Sequence, residues 1–304
     1  VPVFGRNGLD MSSRTKNKLD ELIEVNLLDG NNQFQISCVN NKGAESLIQS
    51  FGILKESKDI KHDLYIVSIG VSKYKQETFN LNYAAKDAQD MVNKLTGSKE
   101  VYQNIFSLVL TDEQVDVKSL DSIRKFLNTA GINDAIVLFF AGHGVLDENF
   151  DYFFATHAID FNKPADKGIS YAQIEALLNE AKPFKKLLLL DTCHSGELDK
   201  EEVSKQKKVI YEKEIKFRAV GDDIVVKDPF GVGNTHDLMN VMFTDVRKAS
   251  GATIIGSSGG AEYAMESEQF KNGLFTHCLL NCFSDWTSDL NRDQGISVSE
   301  WSKH

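Results

Sequence analysis

Cysteine is scarce in this chain: four in 304 residues, at Cys38, Cys193, Cys278 and Cys282. They are too few and too irregularly spaced for a disulfide framework. Positive charge is short as well, with 34 Lys and Arg against 44 Asp and Glu, a net charge of −10. Such a surface repels nucleic acid and anionic lipid, and suits a partner that presents lysines and arginines. No apolar run approaches the roughly 20 residues of a membrane-spanning helix. The opening residues VPVFGRNGLD lack the apolar segment of a secretory signal. These absences predict a reducing, cytoplasmic setting, with neither membrane nor nucleic acid among the partners. What remains, 41% hydrophobic and 26% charged, is ordinary globular composition.

Two regions follow from the patterning. Residues 1–58 form a β-rich segment: LIEVNLL, the turn cluster DGNN, the alternating run QFQISCV, and a second turn NNKG before AESLIQSFGIL. Strands this short do not bury a core alone. They are expected to be either part of an incomplete Ig-like sandwich or a ribbon laid against the next domain. Residues 59–304 alternate strand and helix. Strands are expected at 64–71, 104–110, 134–144, from 185 and at 252–258, with a hairpin at 152–159. Helices are expected at 81–95, 117–130, 170–181, 236–249 and 273–286, with Ser170 as an N-cap. That alternation predicts an α/β fold, a mostly parallel sheet with helices on both faces.

The sequence LLLLDTCHSGEL at 187–198 runs four leucines into Asp191, Cys193 and His194. Ligands bind outside the carboxyl ends of parallel strands, so the leucines read as buried strand and DTCHSG as the loop beyond it. AGHG at 141–144 leaves the preceding strand in the same way, bringing His143 and Cys193 to one rim. A thiolate is nucleophilic, and a neighbouring imidazole removes its proton. The N–H groups of Gly144 and Cys193 are then placed to hold the oxygen of an attacked carbonyl. His194 is an alternative base and His157 reads as structural. A nucleotide site is weakly supported, because SIGVSKYK after the first strand has neither G-x-G-x-x-G nor a Walker lysine.

FFAGHGV and LLLLDTCHSG resemble the two catalytic motifs of the caspase-like cysteine peptidases, which include caspases, metacaspases and bacterial relatives. The 50-residue interval between His143 and Cys193 is also that of caspases. Around the cysteine the chain departs from the animal form Gln-Ala-Cys-Arg-Gly and follows the Asp-x-Cys-His-Ser-Gly form of metacaspases and prokaryotic homologues. LYIVSIGVSKYK, LNYAAKDAQDM and GSSGGAEYAMESEQFKNGLFTHCLL resemble further parts of the family, so the likeness covers about 60–304. It implies a caspase-like fold and a cysteine endopeptidase, with His143 as base, Cys193 as nucleophile, and Gly144 with Cys193 as oxyanion donors. It also implies that Asp191 and Asp87 line the pocket for the residue preceding the cut. Two carboxylates repel each other in a partly dry pocket, and an arginine or lysine side chain relieves that. The expected substrate is therefore a protein or peptide with a basic residue at the cut, and a regulatory domain or partner N-terminal to these residues is expected too. The alternative from another class is a catalytically silent caspase-like scaffold.

Three further stretches need a reading. The charge-dense segment 197–233 is a solvated loop by composition, and by the resemblance a linker cut during maturation. DLNRDQGISVSE at 289–300 has the spacing of a calcium loop, but Gln294 stands where glycine is required, so a helix-capping turn is the first reading and calcium the second. Cys278, Cys282 and His277 share one helix and read as packing rather than a zinc site. No cofactor is expected.

Overall fold

The computed structural model describes residues 22, 24–38, 40, 42, 44, 46–56, 61–97, 101–149, 151–195, 215–217, 251–257, 265–283, 288–292, 296–301 and 303. The side chains of residues 31, 193–195, 215–217 and 265 are outside that description.

Near the amino end, Gly30–Ile36 (β1) pairs antiparallel with Gln49–Lys55 (β2) as a two-stranded ribbon. The expected strand at 22–28 is not one among the described residues. DGNN starts β1 instead of closing a hairpin. The Asn32 amide takes the Leu28 N–H at 2.8 Å and returns a bond to the Leu28 carbonyl at 2.7 Å, an Asx-type local turn. Gly30, at φ +91°, supplies the left-handed step at the corner. Asp29 then ties the ribbon down through Lys55 at 3.0 Å and His62 at 3.5 Å.

Leu64–Gly70 (β3) is buried at every position, as its unbroken apolar run requires of a strand covered on both faces. Ala84–Leu95 (α1) follows, then Ile105–Thr111 (β4), Ser119–Leu127 (α2) and the long strand Ala135–Leu146 (β5). Tyr152–Phe154 (β6), the single turn Pro164–Lys167 (α3) and Ile169–Ser170 (β7) lead into Tyr171–Glu180 (α4). The Ser170 side chain accepts the Gln173 N–H and completes a capping box, as its sequence position suggests. Lys185–Ser195 (β8) carries the four leucines, all buried. Ile215–Phe217 (β9), Thr253–Gly256 (β10), Met265–Ser267 (β11), Asn272–Gly273 (β12), Leu274–Cys282 (α5) and the short Val298–Trp301 (α6) complete the described elements. The helix expected at 236–249 and most of the 197–233 segment lie outside the described residues.

The main sheet runs β10-β8-β5-β3-β4, all parallel, with β6 antiparallel on β5 and β7 on β6. Helices cover both faces. The Ser68 hydroxyl donates to the Ala88 carbonyl of α1 at 2.7 Å. Gly70 lies so close to that helix that a Cβ there would sit 2.2 Å from the Ala84 oxygen. On the other face Tyr65 packs edge-on against Phe126 of α2. The architecture is the α/β class expected. A smaller antiparallel sheet, β12-β11-β9, lies beyond the carboxyl end of the main chain run.

Lys186 interrupts the core of the second face. Its side chain is buried and donates to the Leu178 carbonyl near the end of α4. Desolvation lowers its pKa from 10.5 to about 8. The folded protein therefore releases this proton near pH 8 and the unfolded chain holds it to 10.5. Unfolding takes up a proton across that window, so this residue makes stability rise with pH between those limits. Urea unfolding at several pH values should show the rise in the wild type and a flatter profile in Lys186→Met.

Candidate active site

The pairing of β5 with β8 sets the site. Register continues from Ala135 opposite Lys185 through His143 opposite Cys193 to Val145 opposite Ser195. Adjacent strands lie about 4.8 Å apart, so the His143 and Cys193 backbones are immediate neighbours. His143 falls inside the strand expected at 134–144, whereas Cys193, expected in a loop beyond its leucines, is corrected: both lie within the ladder. The cause is β6, which pairs Phe154 with Gly144 and Tyr152 with Leu146 and so keeps β5 extended past the Gly-His-Gly motif. His194 pairs in register with Gly144, one step further along.

His143 is held from three directions. Its N–H donates to the Tyr74 hydroxyl at 3.1 Å, and that hydroxyl donates to the Val71 carbonyl at 3.0 Å. Gly142 makes this approach feasible: its φ is +153°, and a Cβ would sit 3.1 Å from the Tyr74 oxygen. The imidazole packs against the rings of Tyr74, Phe79 and Phe161 at centroid distances of 5.1, 6.3 and 5.8 Å, and only 3% of the residue is exposed. Its Nε2 lies 2.8 Å from the Phe79 carbonyl oxygen. A carbonyl only accepts, so Nε2 carries the proton and Nδ1 is the basic nitrogen of the neutral ring. The sequence reading missed Tyr74, Phe79 and Phe161. Tyr74 stands in the quoted SIGVSKYK, but nothing there marks it as a partner of a residue 69 positions on. His157 has the structural part expected of it, its Nδ1 2.7 Å from the Lys73 carbonyl and its own carbonyl accepting from Lys75.

The two expected pocket acids are fully buried. Asp191 sits opposite Ala141 in the ladder and accepts from the Thr276 hydroxyl at 2.6 Å. Asp87, on α1, accepts from the Asn272 amide at 2.8 Å and from the Gly273 N–H at 3.1 and 3.2 Å. Gly273 is the N-cap of α5, so both acids meet the first turn of that helix, where its dipole favours negative charge. A third buried acid, Glu266, escaped the sequence reading. Its carboxylate accepts the N–H groups of Asn82 and Tyr83 at 2.6 and 3.1 Å, just ahead of α1.

Cys278 and Cys282 show why the nucleophile is sought elsewhere. Burial, and after it the Asp191 carboxylate, push the Cys278 thiol above its ordinary value, the reverse of what a nucleophile needs. Cys282 is packed in the core. No group of three or more His, Cys, Asp or Glu among the described residues is arranged to hold a metal. A cavity lined by Leu64, Ala135, Lys186, Leu187, Asp289 and Trp301 opens at the amino ends of the strands, at the opposite end from His143.

The family profile of the caspase domain matches residues 65–294. The chain belongs to the caspase domain family. A crystal structure of a Geobacter sulfurreducens protein matches with a TM-score of 0.50 at 17% identity, covering 73% of this chain and 82% of that one, a likeness of fold alone. No curated protein matches. Caspase-domain membership supports a cysteine-peptidase type of function and protein substrates. No helix among the described residues is long and apolar enough to cross a membrane.

In the calcium-like stretch 289–300, which runs past the end of the caspase-domain match, the described residues gather on Glu300. Glu300 accepts from the backbone of Leu290 at 2.9 Å, of Asn291 at 3.1 Å and of Ser297 at 2.9 Å, and from the Ser297 hydroxyl at 2.8 Å. These bonds, Ser297's first, lower its pKa from 4.5 to about 2. The carboxylate thus serves as the cap of a turn. Its stabilising effect is full above pH 4.5 and is lost as pH falls through about 2. Thermal unfolding between pH 5 and 2 should show that loss in wild type, and Glu300→Gln should remove this part of the acid dependence at the expense of stability at neutral pH.

Proposed function

We propose that this caspase domain is a cysteine endopeptidase cleaving proteins after Arg or Lys, with Cys193 as nucleophile and His143 as base. The observation that carries the reading is the register pairing of His143 with Cys193, together with the Phe79 carbonyl that leaves Nδ1 of His143 as the basic nitrogen. The Nδ1 atom takes the thiol proton and the thiolate attacks the scissile carbonyl carbon. The N–H groups of Gly144 and Cys193 hold the resulting oxyanion. Collapse expels the amine, which takes the proton back from the imidazolium, and leaves a thioester on Cys193. Water, deprotonated by the same imidazole, then releases the acid and frees the thiol. No metal or cofactor has a step in this sequence, and calcium at 289–300 remains the weaker reading because Glu300 is taken up by four protein donors. The intact pair weighs against a silent scaffold.

Selection of a basic residue rests on Asp191 and Asp87, both buried at the first turn of α5. A guanidinium brings charge-assisted, bidentate bonds that neutral side chains lack. The motif around Cys193 puts the chain on the metacaspase and prokaryotic side of the family, where an acid precedes the nucleophile by two residues. The same preference makes the lysine-rich 197–233 segment a substrate of its own enzyme. Lys216 is the exception, because it lies in β9 paired with Glu266 of β11, and a residue committed to a ladder does not extend into an active site. A cytoplasmic setting and a regulatory partner N-terminal to these residues complete the proposal.

A peptide library cut by wild type should show Arg or Lys before the scissile bond. Cys193→Ala and His143→Ala should each lose activity by at least about a thousandfold, since residues that act as a unit fail together. A preference for Asp or for bulky apolar residues would refute the basic pocket, and near-normal cleavage by either variant would refute the pair.

Self-processing has a separate test. Purified active enzyme should appear in mass spectra as two associated fragments, divided after a basic residue between Lys200 and Lys227 other than Lys216. Cys193→Ala should stay one chain. An intact chain in fully active wild type would show that maturation does not proceed this way.

A further inference from the structure

The ladder that pairs His143 with Cys193 also decides what the backbone groups around them can bind. On β5 both backbone groups of His143 point away from β8. Its N–H donates to the Tyr74 hydroxyl at 3.1 Å, and its carbonyl accepts the Ala155 N–H at 2.9 Å. On β8 the Leu190 and Thr192 carbonyls point away from β5, accepting the Ser257 N–H at 2.8 Å and the Ser257 hydroxyl at 3.2 Å. Backbone groups alternate sides along a strand. Gly142 and Gly144 of β5 therefore face Cys193 and Ser195 of β8. With His143 opposite Cys193 the partners are fixed: the Cys193 N–H donates to the Gly142 carbonyl, the Gly144 N–H to the Cys193 carbonyl, and the Ser195 N–H to the Gly144 carbonyl. The two N–H groups assigned above to the oxyanion are already committed inside the ladder, although the pair itself is in register.

We infer that this is a resting state latched by the sheet, in which the oxyanion hole forms only when β8 parts from β5 beyond Thr192. The inference rests on the proposed roles of Cys193 and Gly144. An N–H that holds a strand carbonyl does not also point at a substrate oxygen about 3 Å away. Nor does a scissile peptide fit between strands about 4.8 Å apart. Thr192 is where the parting stops. Its hydroxyl shares a hydrogen bond with the Tyr152 hydroxyl at 2.9 Å, its carbonyl is held by Ser257, and Asp191 before it accepts from Thr276 at 2.6 Å. β5 stays in place, because Gly144 and Val145 pair with Phe154 and Phe153 of β6. Opening therefore breaks the bonds that follow Thr192 and leaves those before it. The Ser257 bond has a second effect. The two ends of a planar trans peptide point opposite ways, so fixing the Thr192 carbonyl toward Ser257 keeps the Cys193 N–H aimed at the β5 side, where one oxygen can meet Gly144 as well.

The latch lowers apparent activity by the fraction of molecules that are open. Ser195→Pro deletes the N–H of the bond to Gly144 and leaves both oxyanion donors untouched. Compared at the same processing state, it should raise kcat/KM for the best peptide of the library about five- to tenfold, the effect of losing one backbone hydrogen bond from the closed form. Ser195→Ala, which keeps the N–H, should match wild type. A second measurement needs no variant and decides the matter if the proline form does not fold. Residue-resolved amide exchange on the wild type should show Gly144 and Ser195 protected at rest. A peptide aldehyde ending in the residue the library prefers adds the Cys193 thiol across its carbonyl. With it bound, Ser195 should lose protection while Gly144 keeps it, now on the former carbonyl oxygen. A folded Ser195→Pro no faster than wild type, or a Ser195 amide as protected with the aldehyde as without it, would overturn the latch and leave the nucleophile standing. Cleavage by Cys193→Ala would overturn the nucleophile and the latch together.

Discussion

One ladder governs this molecule: β5 against β8, in unbroken parallel register from Ala135 and Lys185 to Val145 and Ser195. Its first half is ordinary core, with Val137, Phe139 and Phe140 beside Leu187, Leu189 and Leu190, all buried. Its second half consists of residues that do not belong in a core: Asp191, His143 and Cys193. The same hydrogen bonds run through both halves. A slip of one residue would pair His143 with a different neighbour and carry Asp191 away from the Thr276 hydroxyl and Thr192 away from the Tyr152 hydroxyl, so these polar positions, rather than the uniform leucines, mark the register.

The ladder places His143 but does not choose which nitrogen is basic. That choice comes from outside the sheet, from the Phe79 carbonyl. Residues 71–80 are held by several independent bonds: Ser72 and Lys73 N–H on the Asp112 carboxylate, Tyr74 N–H on Asn80, and Lys75 N–H on the His157 carbonyl. Asp112 adopts φ +48° while serving two of them. A loop pinned this often keeps its carbonyl aimed at the imidazole, and the aromatic rings around it exclude water that would compete for Nε2.

Much of this was legible in the sequence because the period of apolar residues is a local property. Strands β3, β4, β5, β8 and β10 and helices α1, α2, α4 and α5 fall where the runs and stripes place them. The misses share a cause. LIEVNLL has a strand's composition but pairs with no strand among the described residues, and pairing is not local. Helix α1 starts at Ala84 rather than 81, because the N–H groups of Asn82 and Tyr83 are bound by Glu266, 184 and 183 residues away. Cys193 sits inside the ladder because β6 returns antiparallel on β5 beyond His143. The Phe79 carbonyl is invisible in principle, since every residue has one. Residue types announce chemistry, whereas acceptors and donors of the backbone become specific only through the fold.

The acids at the carboxyl end of the sheet illustrate how such specificity is built. Asp87 and Asp191 meet the first turn of α5, and Glu266 meets the N–H groups ahead of α1. The connections close on themselves: the β11 strand caps α1, α1 supplies Asp87 to the N-cap of α5, and that N-cap is the last residue of the hairpin begun by β11. Each buried carboxylate obtains its donors from an element held by another carboxylate, so none can be removed without loosening the next. The donors named here, two amide and hydroxyl side chains and three backbone N–H groups, are neutral. A network closed in this way holds the start of α1 and the first turn of α5 together at the carboxyl end of the sheet.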